Sequence, residues 1–346
     1  MRLVLDRQSA YEYWMSTLSG GGARCLMVPN PQLTSFETFA YRELAQRMRR
    51  SGGIPGKLHL LTKEAVDRRQ GAMLSCSSWG KASLPPRSIY EIGDGLYVIS
   101  PELCIVRLAT VLPELELLHA TAGLMGAFSL SALERRNLVQ REPLVTKEGM
   151  RSYLSHCTYV RGARLASRAV GWAVERSASP REASVNLALS LPSHVGGQSL
   201  GPFLANMQVS ITAATRPLTQ KSFLIADVAW SDKDLFLEYN SDTYHDDEEQ
   251  KEFDFEKITA FQRMGKTVIP LSTRQFNDYA AFVSVCQGIR KSLGRRDRGG
   301  AAYETIRQKT HARLLAIERA SRNQPDLVET ARWQTLMPYL HGPEDL

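Results

Sequence analysis

Short apolar runs separated by glycine, proline and polar residues dominate the second half of the chain. The runs at 207–212, 222–230, 234–240 and 267–272 have the length and the β-branched and aromatic content that are typical of strands. Helical periodicity replaces this pattern at 179–191, 250–265 and 275–293. The order helix, three strands, helix, strand, helix predicts a mixed β-sheet of about four strands covered by helices.

The first half mixes short extended runs with helical ones. Strands are predicted at 58–62, 72–78 and 95–100, and a helix is predicted to begin near Ser35. The apolar stretch that follows predicts two helices broken at Pro113. We therefore expect an α/β (α+β) protein with three parts, a smaller α+β domain at 1–160, a sheet domain at 161–294 and a basic helical tail at 295–346.

Composition limits the protein classes that fit the chain. An apolar content of 43% indicates a globular protein, and a formal net charge of +7 favours an anionic partner. No apolar run is long enough to cross a bilayer, so we expect a cytoplasmic protein without a membrane partner. The five cysteines are scattered without zinc-ligand spacing, which predicts reduced thiols and neither a zinc site nor a disulfide framework.

Two carboxylates, Asp227 and Glu238, lie inside runs that otherwise look like buried strands. If Asp232 and Lys233 form the turn between these strands, Asp227 lies opposite Glu238 on one face of the sheet. Side chains in this position have Cβ atoms about 4.5–5.5 Å apart, and like charges there are destabilising. Partial protonation, a cationic neighbour or a divalent metal could each offset the repulsion.

A hard cation such as Mg²⁺ usually takes one or two protein carboxylates and keeps several waters, so the pair is a candidate metal site. Two observations would remove that interpretation. A register slip of one residue would send the acids to opposite faces. A basic side chain bonded to one of them would stand in the cation's place. Acidic residues on a solvated strand end remain the alternative interpretation.

Four separated sequence motifs carry a family resemblance over about residues 175–293. They are SPRE at 179–182, DVAW at 227–230, EYNSDTYH at 238–245, and a later helix with Asp254, Lys257 and Gly265 before the returning strand. In this order they resemble the core of bacterial endonuclease-like domains related to the very short patch repair endonuclease. That group belongs to the PD-(D/E)XK nuclease superfamily.

The resemblance implies a phosphodiesterase site with Mg²⁺ or Mn²⁺ as its cofactor. Asp227 and Glu238 would bind the metal, with the backbone carbonyl of Tyr239 and the side chain of Asn240 as further ligands. Glu182 would help to hold or polarise a water, and His245 would carry a proton or contact the phosphate. The resemblance thus implies Glu182, Asp227, Glu238 and His245 as the catalytic residues. The alternative for His245 is a structural role, in which it caps the strand end or bonds Asp242 or Asp246.

The chain departs from the family pattern at two places. Asn240 and Ser241 replace the family's Asp and Gly, so one acidic group and the glycine turn are missing. The superfamily also keeps a lysine two positions after the strand glutamate, where it orients the water, and this chain has Asn240 there.

Basic residues indicate where nucleic acid could bind. The predicted nucleic-acid contacts are Arg161, Arg164, Arg168 and Lys257, and the alternative for the arginines is a solvated helix face. A weaker likeness joins residues 58–130 to the non-nuclease half of AbiEi-type antitoxin-like regulators, which implies a protein partner for the N-terminal domain.

Three functions therefore remain open from the sequence. The first is a Mg²⁺-dependent DNA endonuclease, in a defence or toxin–antitoxin context. The second is a catalytically inactive DNA-binding regulator that has kept the nuclease scaffold. The third is an antitoxin-like module that binds a protein.

Overall fold

The protein was analysed as a computed structural model that describes most of the chain. The described residues are 3–17, 26–27, 57–62, 68–79, 83–93, 96–130, 138–213, 215–219, 221–240, 248–297 and 300–322. They form a mixed α/β fold, as predicted, in two compact units. The second unit takes residues 125–127 and 172–322, and the first takes the described residues before them and between them.

The first unit contains a seven-stranded sheet with the order β2-β6-β7-β1-β3-β5-β4. Its strands are β1 (Leu3–Leu5), β2 (Leu26–Met27), β3 (Leu58–Thr62), β4 (Arg69–Gln70), β5 (Leu74–Ser78), β6 (Ile89–Gly93) and β7 (Leu96–Ile99). A two-stranded sheet pairs β8 (Phe128–Ser129) with β9 (Val139–Gln140). The helices are α1 (Arg7–Ser16), α2 (Pro101–Leu108), α3 (Glu114–Leu124), α4 (Lys147–Ser155) and α5, which begins at Ala163 and ends at Trp172.

The predicted elements of this unit are mostly confirmed. The break at Pro113 separates α2 from α3, and α2 begins where Ser100 accepts the Leu103 N–H at 3.1 Å and Pro101 takes the first helical position. The sequence prediction missed β1, whose residues are buried between β7 and β3. Three residues are too few to show a period.

The second unit contains the four-stranded sheet that the sequence predicts. Its order is β10-β11-β12-β13. The strands are β10 (Leu204–Ser210), β11 (Phe223–Trp230), β12 (Leu235–Asn240) and β13 (Thr267–Ser272). The pairs β10/β11 and β11/β12 are antiparallel, and β12/β13 is parallel because a helix connects these two strands.

Helices α6 (Pro180–Ser190), α7 (Glu248–Arg263), α8 (Thr273–Asn277), α9 (Tyr279–Ser292) and α10 (Glu304–Arg322) complete this unit. The single helix predicted at 275–293 was wrong. Asp278 has an extended backbone and its Oδ1 accepts the Ala281 N–H at 2.8 Å, so this residue ends α8 and caps α9.

Helix α10 packs within the second unit and is not a separate tail. Its Glu318 carboxylate lies 3.0 Å from Arg181 Nη2 of α6, and the two side chains are 0% and 7% exposed. The sequence prediction placed this helix outside the sheet domain because its overall charge is basic. Glu318 is one of few acidic residues in this basic segment, and no sequence pattern shows that it is buried.

Some predictions cannot be compared with the fold. The helix predicted near Ser35 and the residue His245 lie outside the described residues. In the part of the chain that the structure describes, no helix is both long and apolar enough to cross a membrane.

Candidate functional site

The hairpin of β11 and β12 has the predicted register. Trp230 pairs with Leu235 and Val228 pairs with Leu237, so the next positions in the same register are Asp227 and Glu238. The connection is a 3-10 turn at Ser231–Lys233 followed by Asp234 in the left-handed conformation (φ 48°). The connection is therefore longer than the two-residue turn that the sequence predicted, although the strands pair in the predicted register.

The two carboxylates meet at one lysine. The Lys257 ammonium donates to Glu238 Oε2 and lies 3.7 Å from Asp227 Oδ1. Asp227 and Glu238 therefore share one face of the sheet, as predicted. Lys257 was assigned to phosphate contact from the sequence. The structure instead bonds its ammonium to Glu238, so the second of the two observations that count against a metal site is present.

Helix geometry explains how Lys257 reaches the site. Phe261, one turn further along α7, packs edge to face against Phe236 of β12 with ring centroids 5.0 Å apart. Residues four apart lie on the same helix face, so the packing of Phe261 directs Lys257 toward Glu238, two residues after Phe236. The spacing of Lys257 and Phe261 places both on one helix face, but no sequence pattern pairs that face with β12.

Glu182 caps the start of α6. The Ser179 hydroxyl accepts the Glu182 N–H at 3.1 Å, and Glu182 Oε2 in turn accepts the Ala178 N–H at 2.9 Å. Asn206 Nδ2 on β10 also donates to Oε2, at 2.8 Å. Sequence reasoning missed Asn206. This residue lies on the edge strand β10 with a φ of 49°, and no sequence pattern links it to Glu182.

Burial and the charge of Asp227 make Glu182 and Glu238 weaker acids than usual. Burial raises the pKa of Glu238 to about 8, the charge of Asp227 adds to this, and Lys257 only partly opposes it. Burial also raises the pKa of Glu182 to about 7, again with the charge of Asp227 as the second cause. Asp227 therefore acts on both glutamates, although the three acids come from three different elements.

A hard cation could bind the carboxylate pair only if the Lys257 ammonium moved off Glu238 Oε2. Glu238 Oε1 is buried and has no hydrogen-bond partner among the residues that the structure describes. A carboxylate oxygen of this kind is a ligand that Mg²⁺ or Mn²⁺ prefers. Within the described ranges no three acidic, histidine or cysteine side chains are grouped to hold a metal, so Glu182 does not join the pair as a third ligand.

The other predicted ligands lie near the end of β12. The Tyr239 N–H donates to Asp227 Oδ2 at 2.7 Å, and its hydroxyl lies 2.7 Å from Thr273 Oγ1. The backbone carbonyl of Asn240 accepts from the same Thr273 hydroxyl at 3.5 Å. Asn240 is two residues from Glu238, so its side chain belongs to the same face of the strand.

The three arginines among the predicted nucleic-acid contacts belong to the first unit, unlike Lys257. Arg161, Arg164 and Arg168 are exposed, and the last pairs with Glu114 at 2.6 Å. Helix α5 ends at Trp172, before Arg176, whose φ is 67°. Arg164 and Arg168 therefore lie on α5, and Arg161 precedes it.

Comparison with known proteins gives no family for the chain. No family model matches it, and no curated protein or solved structure is similar enough to count as a match.

Proposed function

We propose that the second unit is a metal-dependent endonuclease domain that hydrolyses phosphodiester bonds in DNA. The observation that carries the proposal is the pair of the partly buried Asp227 and the buried Glu238, which face each other with Lys257 against both. The proposal requires that Lys257 yield Glu238 Oε2 to the cation. The resemblance of this hairpin to the very short patch repair endonucleases of the PD-(D/E)XK superfamily supports the choice of reaction.

A count of charges argues that one lysine does not complete the site. The charge of Asp227 acts on both Glu182 and Glu238, and Lys257 opposes it only at Glu238. Burial is the larger cause of the raised pKa of both glutamates, so without a metal both hold a proton more readily than an ordinary glutamate. A divalent cation would replace those protons.

Asp227 and Glu238 are the residues that would hold Mg²⁺ or Mn²⁺. When bound, such a cation supplies a Lewis acid that stabilises negative charge on a phosphate and makes water more acidic. Lys257 takes the role that the superfamily gives to the lysine two positions after the strand glutamate, and it reaches the site from α7 instead. Its ammonium would hold and orient the attacking water or stabilise charge on the phosphate.

Glu182 has a different task from the two strand acids. Hydrogen bonds from the Ala178 N–H and from Asn206 hold its carboxyl group in place. A carboxyl group with a pKa near 7 can accept or release a proton at neutral pH. We therefore assign Glu182 to proton transfer or to holding water, and not to metal binding.

Plasmid nicking tests the proposal directly. Supercoiled DNA should be nicked in Mg²⁺ or Mn²⁺ and left intact in EDTA, and D227N, E238Q and K257Q should each fall to background. The matched control is K266Q, because Lys266 pairs with the exposed Asp234 away from the carboxylate pair. Cleavage that persists in D227N and E238Q would contradict the assignment.

The contact between Lys257 and Glu238 also favours a second function. If Lys257 permanently takes the cation's place, the unit is a DNA-binding regulator without catalysis. That protein would bind DNA with a strong salt dependence and would not cut it in Mg²⁺ or Mn²⁺.

A further inference from the structure

Asn206 lies on the edge strand β10, in line with the two carboxylates of the sheet. The residues on either side of Asn206 pair with those on either side of Asp227, so these two residues occupy opposite positions. The register of β11 and β12 sets Asp227 opposite Glu238 in the same way. Asn206, Asp227 and Glu238 therefore form one row across three neighbouring strands.

The side-chain amide of Asn206 joins this row to the start of α6. Its Nδ2 donates at 2.8 Å to the backbone carbonyl of Arg176, which precedes the helix, and at 2.8 Å to Glu182 Oε2 in the first turn. An amide nitrogen carries two protons, so both hydrogen bonds can form at once. Asn206 thus ties Glu182 to the strand that lies next to Asp227.

The backbone of Asn206 departs from the conformation of a strand. Its φ is 49°, which lies in the left-handed region that residues with a Cβ rarely adopt. Asparagine tolerates this region better than most residues, and glycine tolerates it best. Glycine would suit the backbone but would leave Glu182 without the amide donor. Asparagine therefore meets two requirements at this position, a left-handed backbone and a hydrogen bond to Glu182.

The hydrogen bonds to the Glu182 carboxyl group come from two directions. The Ala178 N–H donates to Oε2 at 2.9 Å, and the Ser179 hydroxyl donates to Oε1 at 3.1 Å. Both donors lie within four residues of Glu182, so they fix the carboxyl group relative to its own helix. Asn206 donates from the sheet, and its hydrogen bond fixes the carboxyl group relative to the strands.

The same hydrogen bond acts on the charge of Glu182. Burial is the main cause of the raised pKa of this residue, and the charge of Asp227 adds to it. The hydrogen bond from Asn206 lowers the pKa, because an amide donor favours the ionised carboxylate. Asn206 therefore affects both the orientation of Glu182 and its affinity for a proton.

We propose that Asn206 is a positioning residue of the endonuclease site, which holds the Glu182 carboxyl group toward the pair of Asp227 and Glu238. This inference rests on the proposed function, in which Glu182 transfers a proton or holds water and the two strand acids hold the metal. Asn206 acts through Glu182 and not on the reacting atoms.

Two variants of the full chain separate the amide from the backbone. N206G removes the donor and keeps a residue that accepts the left-handed conformation. N206D keeps the size of the side chain and most of its tolerance of this conformation, but it sets a carboxylate against Glu182 Oε2. Q208G is the matched control, because it places a glycine at an exposed position of the same strand.

The first readout is the titration of Glu182 in the metal-free protein, followed by carbon-13 NMR of glutamate carboxyl groups. Both N206G and N206D should raise the pKa of Glu182 above its value of about 7, and Q208G should leave it unchanged. A residue that only supported the fold would not move this titration. An unchanged pKa of Glu182 in N206G and N206D would overturn the inference.

The second readout is the single-turnover cleavage of plasmid DNA in Mn²⁺. N206G and N206D should lower the cleavage rate at saturating DNA at least about tenfold, as expected for a displaced catalytic group. The DNA concentration for half-saturation should change by less than about twofold, because Asn206 does not bind the substrate. Wild type that cuts, with N206G as fast as Q208G, would overturn this inference alone. Wild type that does not cut would overturn the proposed function, and the catalytic role of Asn206 with it.

Discussion

The backbone N–H of Tyr239 donates a hydrogen bond to Oδ2 of Asp227, with 2.7 Å between nitrogen and oxygen. The backbone of β12 thus holds the Asp227 carboxylate, which belongs to the neighbouring strand β11, in a fixed orientation. The other oxygen, Oδ1, lies 3.7 Å from the Lys257 ammonium. Asp227 is held where its charge acts on both Glu182 and Glu238.

Replacing Asp227 should therefore change two titrations at once. In D227N the amide oxygen can still accept the Tyr239 N–H, so the strand pairing is kept while the charge is removed. The pKa of Glu238 should fall below about 8 and that of Glu182 below about 7, because the charge of Asp227 raises both. Carbon-13 NMR titration of glutamate carboxyl groups would measure these shifts. Both values should stay above that of an ordinary glutamate, because burial remains. Unchanged titrations in D227N would show that the three acids do not interact.

Lys257 should stabilise the metal-free protein more as the pH rises. Below about pH 8, Glu238 can take a proton when the ammonium is lost, whereas above it the buried Glu238 carboxylate would face the Asp227 carboxylate without a cation between them. K257Q should therefore lose little stability near neutral pH and up to about 3 kcal/mol in alkaline solution, as for a broken buried ion pair. Urea unfolding in EDTA would measure this. K266Q, whose pair with Asp234 is exposed, should change by less than about 0.5 kcal/mol throughout. Equal stability of K257Q and K266Q in alkaline solution would count against the account.

Glu238 should also give the metal-free protein a definite pH dependence. Its folded pKa of about 8 lies above the ordinary value of 4.5, so between these values the folded state keeps a proton that the unfolded state has lost. The contribution is fully present below pH 4.5 and is lost as the pH rises to 8, at up to about 1.4 kcal/mol per pH unit. E238Q should show a shallower fall in unfolding free energy over this range. E256Q, at an exposed position on α7, should follow the wild type. Parallel curves for E238Q and the wild type would refute the prediction.

The ion pair between Arg181 and Glu318 should be essential to the second unit. Removing one partner leaves a buried charge, so R181M or E318M should each destabilise the protein by about 3–5 kcal/mol. The double mutant R181M/E318M should recover much of this loss, because no unpaired charge remains. A double-mutant cycle by chemical denaturation would measure the coupling. Additive losses would show that the pair does not act as a unit.

The sequence predicted the second unit well because its elements have regular patterns. Alternating and helical periods located the four strands and the capped helix at Ser179, and the turn residues set the register that brings Asp227 opposite Glu238. Register follows from local pairing, so two carboxylates could be placed together without a structure.

Long-range packing could not be predicted in the same way. Lys257 reaches the acids because Phe261 packs on Phe236, and Asn206 reaches Glu182 from an edge strand. In the first unit, the buried ion pair of Asp6 and Arg107 joins residues 101 positions apart. The spacing of apolar residues along the chain gives no information on contacts between distant segments, and a strand as short as β1 is too short to show any spacing pattern.

The most direct test of the central claim is an anomalous difference map from crystals soaked in Mn²⁺ at about pH 9, above the raised pKa of Glu238. The account predicts a single strong peak within coordination distance of Asp227 and Glu238, with the Lys257 ammonium moved off Glu238 Oε2. No peak at this place, with Lys257 still bonded to Glu238, would contradict it.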